Sequence, residues 1–138
     1  DAFETNRALV GLMRDVIAQM NLNPDIVQMV EAIQREATNE LMQAVDSPHF
    51  RMYWQPFQWL DTEGSLAVAR TVAPYAEHLH VFNWHGSRKL PLAEAVADWK
   101  RYLAVFDTPR TLLLEFMPDD RLESLPTEAE SLRKIIGG

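Results

Sequence analysis

The chain has 138 residues, of which 47% are hydrophobic and 24% charged, ordinary proportions for one globular domain with its own core. Cysteine is absent, which excludes disulfides and thiolate metal sites, and no apolar run is long enough to cross a bilayer. The formal net charge is −7 with no basic run, so neither nucleic acid nor a membrane is an expected partner. No signal-peptide pattern opens the sequence and the composition fits a reducing compartment, so the expected location is cytoplasmic.

Residues 5–20 read as an amphipathic helix, with Leu9, Leu12, Met13, Val16, Ile17 and Met20 on one stripe. Asn21 to Asn23 break it. Asn23 is a good N-cap, and Pro24 suits the first position of a second helix running to about Val45. Ile26, Val30, Ile33, Ala37, Leu41 and Ala44 mark the buried face of that second helix. The short turn between the two predicts an αα-hairpin. Residues 1–138 are read as one domain, with this hairpin region over 1–36 and strand–helix units over 37–138.

Three apolar runs follow: Phe50–Gln55, Leu79–Trp84 and Thr111–Phe116. Helical sequence separates them at a repeat of roughly thirty residues, the pattern of consecutive βα units and a parallel sheet. In the first run alternation puts Met52 and Trp54 on one face, Tyr53 and Gln55 on the other. Pro56 ends that strand. Phe57–Leu60 is an aromatic loop, expected to line a pocket or an interface. A short helix is predicted over Glu63–Val72, before Pro74.

After the second run, His85–Lys89 reads as a polar, basic loop. Pro91 starts a helix with Leu92, Ala95, Val96, Trp99 and Leu103 inward. The third run has three leucines before Glu115, which predicts a strand buried on both faces. Thr127 and Glu130 form a capping-box pattern for the last helix, and Leu132, Ile135 and Ile136 face its core side.

Each run also carries a polar residue that packing alone would not select: Gln55, His80 and Glu115. Ligands of parallel sheets gather at the carboxyl ends of the strands, so these three define one candidate site. Glu115 is the most informative, because an unpaired buried carboxylate is costly. The four tryptophans read as core or interface residues rather than a cofactor stack. Three parallel strands leave two open edges, with three ways to cover them: the amino-terminal helices over one face and an edge, a second copy of the chain, or a further segment of a longer protein; the expectation is the first two together, a homo-oligomer, a dimer.

The phrases Tyr53-Trp54-Gln55-Pro56, His78–Trp84 and Leu113-Leu114-Glu115 resemble, in order and spacing, the last three strands of the sugar phosphate isomerase/epimerase family. The resemblance runs from about Ala37 to Ile136. It implies an α/β fold: a partial (β/α) TIM barrel of about three parallel strands with flanking helices, behind the amino-terminal hairpin. It also implies a divalent metal (manganese, magnesium, cobalt or zinc) held by His80, Glu115 and Gln55. Glu115 would be catalytic, and Gln58, Arg88 and Trp54 would bind a small sugar. The implied activity is aldose–ketose interconversion by proton transfer through a metal-stabilised enediolate. The fifth-strand glutamate of the family has no counterpart here, so the metal sphere and the proton shuttle are incomplete in one chain. The alternative reading is a barrel fragment that folds and self-associates without catalysis.

Overall fold

The helix signalled by Pro24 forms as α1, Pro24–Val45. The computed structural model describes residues 24–137, so the amphipathic helix expected over 5–20, and with it the hairpin, lies outside the described residues. α1 ends at Asp46, whose φ of 38° turns the chain out of the helix while its N–H still donates to the Met42 carbonyl. Aspartate tolerates this left-handed geometry better than most residues. Of the expected buried face, the side chains of Ile26, Val30 and Ile33 lie outside those described, and the remaining three differ from expectation. Ala37, Leu41 and Ala44 are exposed, and Met42 is the buried residue of the last turns. Ala37 and Leu41 instead form one wall of an open groove, which explains their exposure.

Strand β1 is Met52–Trp54, shorter than the expected run because Pro56 and the turn before Phe50 bracket it. Helix α2, Thr62–Val72, starts where Asp61 accepts a 2.7 Å hydrogen bond from the Gly64 N–H. That bond satisfies one of the donors a helix start leaves open. Strand β2 is Ala76–Val81. It begins three residues earlier than predicted and does not reach Trp84. Trp84–His85 (β3) and Arg88–Lys89 (β4) form a separate antiparallel ribbon across Gly86, where a loop was expected. Gly86 has φ +58°, a value that glycine adopts without cost.

A 3-10 turn, Leu92–Ala95, leads into helix α3, Val96–Leu103. Strand β5 is Thr111–Leu114. A second 3-10 turn, Leu122–Ser124, precedes helix α4, Leu125–Ile135. The capping box is not formed: Thr127 already lies inside α4, its carbonyl accepts from Ser131, and Glu130 pairs with Arg133. Pro126 at the first helical positions sets the start instead.

The three long strands make one parallel sheet in the order β1-β2-β5. The protein is thus a mixed α/β structure. The sheet is open at both edges, and no barrel closes among the described residues. Among the described residues the core cluster lies on one face of the sheet. Trp54, Leu79 and Val81 from the strands meet Leu66, Ala69, Trp99, Tyr102 and Ile135 from the helices. Burial of a side chain such as Leu79, which has no exposed surface, stabilises by about 1.5–3 kcal/mol. Trp54 packs edge-on against both Trp99 and Tyr102, and such pairs add to the area term.

Among the described residues no helix packs on the other face of the sheet. Tyr53 is 55% exposed and Leu113 44%. The expectation that β5 is buried on both faces is therefore corrected: only Leu112 and Leu114 pack against the core. The reason is topological. A strand has two sides, and every described helix that contributes to the core lies on the same one.

No helix among the described residues is long and apolar enough to cross a membrane.

Candidate functional site on the open sheet face

The open face brings two of the three expected site residues together. β2 and β5 run in register with His80 opposite Leu113 and Val81 opposite Leu114. Glu115 continues the pairing through its N–H, which donates to the Val81 carbonyl at 3.1 Å. Side chains alternate with period two, so Glu115 lies on the same face as Leu113 and one diagonal step from His80. Their side chains meet: His80 Nδ1 and Glu115 Oε2 are 3.1 Å apart. Both are partly open to solvent, at 24% and 33% of side-chain surface.

On its other flank His80 meets β1. Tyr53 is in register with His78, which sets it diagonal to His80. The two rings stack with centroids 4.4 Å apart and planes 21° from parallel. The imidazole is thus held on one side by an aromatic plate and at one nitrogen by a carboxylate. An ionised carboxylate only accepts hydrogen bonds, so the Nδ1 that faces it carries the proton. In the neutral form of that tautomer the lone pair lies on Nε2, which makes no hydrogen bond among the described residues.

Gln55 is not part of this contact. It lines the groove of about 560 Å³ between α1 and β1, beside Met52, Trp54 and Val68. Trp54 is 4% exposed and faces the helices, so packing takes up the surface that sugar binding would need. Gln58 is engaged elsewhere. Its Nε2 donates to the Gly86 carbonyl at 3.0 Å while the Gly86 N–H donates to the Gln58 carbonyl at 2.7 Å. These two bonds tie the aromatic loop to the ribbon, and Trp59 packs against Gly86, where a Cβ would meet its ring at 3.3 Å. Arg88 is exposed on β4, opposite His85.

The adjacent cation is Lys89. Its Nζ sits 5.3 Å from the ring centroids of both Trp84 and Phe116 and pairs with Asp120. Phe116 follows Glu115 directly, so this cation–aromatic cluster borders the pair. Neither Tyr53 nor Lys89 was selected from the sequence. The alternation in β1 was enough to place Tyr53 on the site face, whereas nothing in the sequence distinguishes Lys89 from its neighbour Arg88.

The same ribbon is anchored from below. Trp99 Nε1 donates to the Phe82 carbonyl at 2.8 Å, and Asn83 Nδ2 donates to the Pro91 carbonyl at 2.9 Å. These buried bonds fix the chain just after the strand end on which His80 lies.

The arrangement suits proton transfer better than metal binding. Among the described residues no group of three or more His, Asp or Glu side chains converges. His80 and Glu115 turn toward each other, and Gln55 lines the groove. A divalent ion needs at least three or four converging ligands, and the His80–Glu115 contact supplies two.

No family model matches the chain, and no solved structure matches it. Partial matches exist to curated proteins. Gamma-glutamyl phosphate reductase of Neisseria meningitidis serogroup A is 39% identical over 46 residues, 33% of this chain and 11% of the relative. The enzyme of that name from Leuconostoc mesenteroides is 27% identical over 82 residues, 59% of this chain and 20% of the relative. That from Leuconostoc citreum is 23% identical over 111 residues, 80% of this chain and 24% of the relative. The chain therefore spans only 11% to 24% of these relatives' lengths. These matches are to a reductase, and they overturn the resemblance to sugar phosphate isomerases and epimerases. The implied isomerase activity and its sugar chemistry fall with that resemblance.

Proposed function

We propose that the chain carries a small-molecule site on the open face of its sheet, at the carboxyl ends of β2 and β5, where His80 and Glu115 together move a proton. The contact between His80 Nδ1 and Glu115 Oε2 carries this reading, because it orients the imidazole with Nε2 turned away from the carboxylate. Strand carboxyl ends are where parallel sheets bind ligands. The name of the partial relatives supports an acyl compound as ligand, since gamma-glutamyl phosphate is an acyl phosphate. Their reductase activity is a property of proteins several times longer.

NMR of the histidine rings tests the reading, with L-glutamate and acetyl phosphate as probes. The expected result is a shift of the His80 ring signals that is lost in Glu115→Ala. Shifts confined to His49, His78 and His85, or no shift with either probe, would overturn it.

A second reading follows from the exposure of Tyr53 and Leu113. Parallel sheets are ordinarily covered on both faces. A second copy of the chain laid on this face would cover both residues and wall the site. Sedimentation tests it: a dimer is expected at high concentration, with Leu113→Lys shifting it to monomer. A monomer at all concentrations would remove this reading without touching the first.

A further inference from the structure

The geometry points to a reaction for this pair: general-base hydrolysis of activated acyl compounds, with His80 Nε2 as the base and Glu115 as its positioning residue. This inference rests on the proton-transfer reading above. With Nδ1–H bound to the carboxylate, Nε2 can take a proton from a water molecule as the water oxygen attacks the acyl carbon. The bond from that carbon to its leaving group then breaks. The leaving group departs as phosphate or phenolate, and the imidazolium returns its proton to the leaving group or to solvent. The products are a carboxylic acid and the free leaving group, and no oxidant, reductant or cofactor is consumed. Glu115 accepts the Nδ1–H throughout and stabilises the positive ring. Tyr53, stacked on one ring face, limits ring rotation and shields that side from water. Both partners keep solvent access, so water can reach the pair.

A positioned general base contributes a factor of about 10²–10⁴. The full chain is therefore assayed with p-nitrophenyl acetate and acetyl phosphate against equimolar free imidazole. The expected rate exceeds that of imidazole by at least about ten-fold and slows in deuterium oxide, as a proton in flight requires. His80→Gln should remove the excess, while variants of His49 and His85 retain it. Glu115→Gln can donate to Nδ1 and hold the ring in the opposite tautomer, so it should lower kcat with little change in KM. Glu115→Asp should restore part of the rate. Thermal unfolding of each variant separates loss of folding from loss of the base.

A rate equal to that of imidazole, an unchanged rate in His80→Gln, or no deuterium effect would overturn the hydrolysis. His80 ring shifts with the NMR probes but no hydrolysis would overturn this reaction alone. Absence of both would overturn the site as well.

Discussion

Glu128, on α4, accepts a 2.8 Å hydrogen bond from the backbone N–H of Leu92, the first residue of the turn that leads into α3. The carboxylate is 2% exposed and Leu92 is fully buried. One helix thus supplies the cap for the start of another, thirty-six positions earlier in the chain. A buried N–H without a partner costs about 1–3 kcal/mol, more when the lost acceptor is charged. Glu128→Ala is expected to destabilise the fold by at least this amount in urea unfolding, while Glu128→Gln, which keeps an acceptor oxygen, should cost less.

Trp54 tests which face of β1 is structural. It joins Trp99, Tyr102 and Phe106 in one aromatic cluster. Trp54→Ala is expected to cost about 3–5 kcal/mol, the range for a large aromatic removed from a core. Tyr53→Ala, one residue away on the open face, should cost far less and change only the His80 ring environment. Chemical denaturation measures the first and histidine NMR the second.

Gly86 couples the ribbon to the aromatic loop. A methyl group there meets two obstacles, a φ of +58° and the Trp59 ring at 3.3 Å. Gly86→Ala should destabilise by about 1 kcal/mol or more, through the left-handed backbone alone. Trp59 fluorescence is expected to change in the same variant, because its packing partner moves.

Asp119 gives a pH-dependent signal of its own. Hydrogen bonds from Ser124 Oγ, at 2.8 Å, hold its carboxyl below the usual aspartate range, with the Arg121 N–H adding to the effect. A carboxyl whose folded value is depressed stabilises the fold above its unfolded value and loses that contribution as pH falls through the folded one. Ser124→Ala should move the Asp119 titration upward in carbon-detected NMR and flatten the acid side of the stability curve.

Divalent metal is expected to leave the unfolding midpoint unchanged. Manganese or zinc would have to displace the His80–Glu115 hydrogen bond, and among the described residues no third His, Asp or Glu converges on that pair. A ligand that binds the native state raises its stability by mass action. A rise in midpoint that disappears in His80→Ala would establish a metal site after all.

Local signals carried much of the fold. Pro24 and the apolar runs are short-range features, and α1 and the parallel sheet form from them, although β2 begins three residues earlier than its run. The period-two alternation in β1 also divided Met52 and Trp54 from Tyr53 correctly, because strand geometry forces neighbours to opposite sides. Composition excluded thiolate chemistry outright.

What alternation cannot say is which face is covered. The leucines of β5 are alike in sequence, yet Leu113 lies open while Leu112 and Leu114 pack, because the helices of the core all lie on one side. The same holds for α1, where Leu41 and Met42 both line the groove but only Met42 is buried. Only the pairing register decided that Glu115 would reach His80 across 35 positions, while Gln55 would not join them. The cap from Glu128 to Leu92 was equally invisible, since a contact between residues so far apart exists only once two helices have docked. Residue type announced that His80 and Glu115 needed an explanation, and tertiary structure supplied it by making each the other's partner.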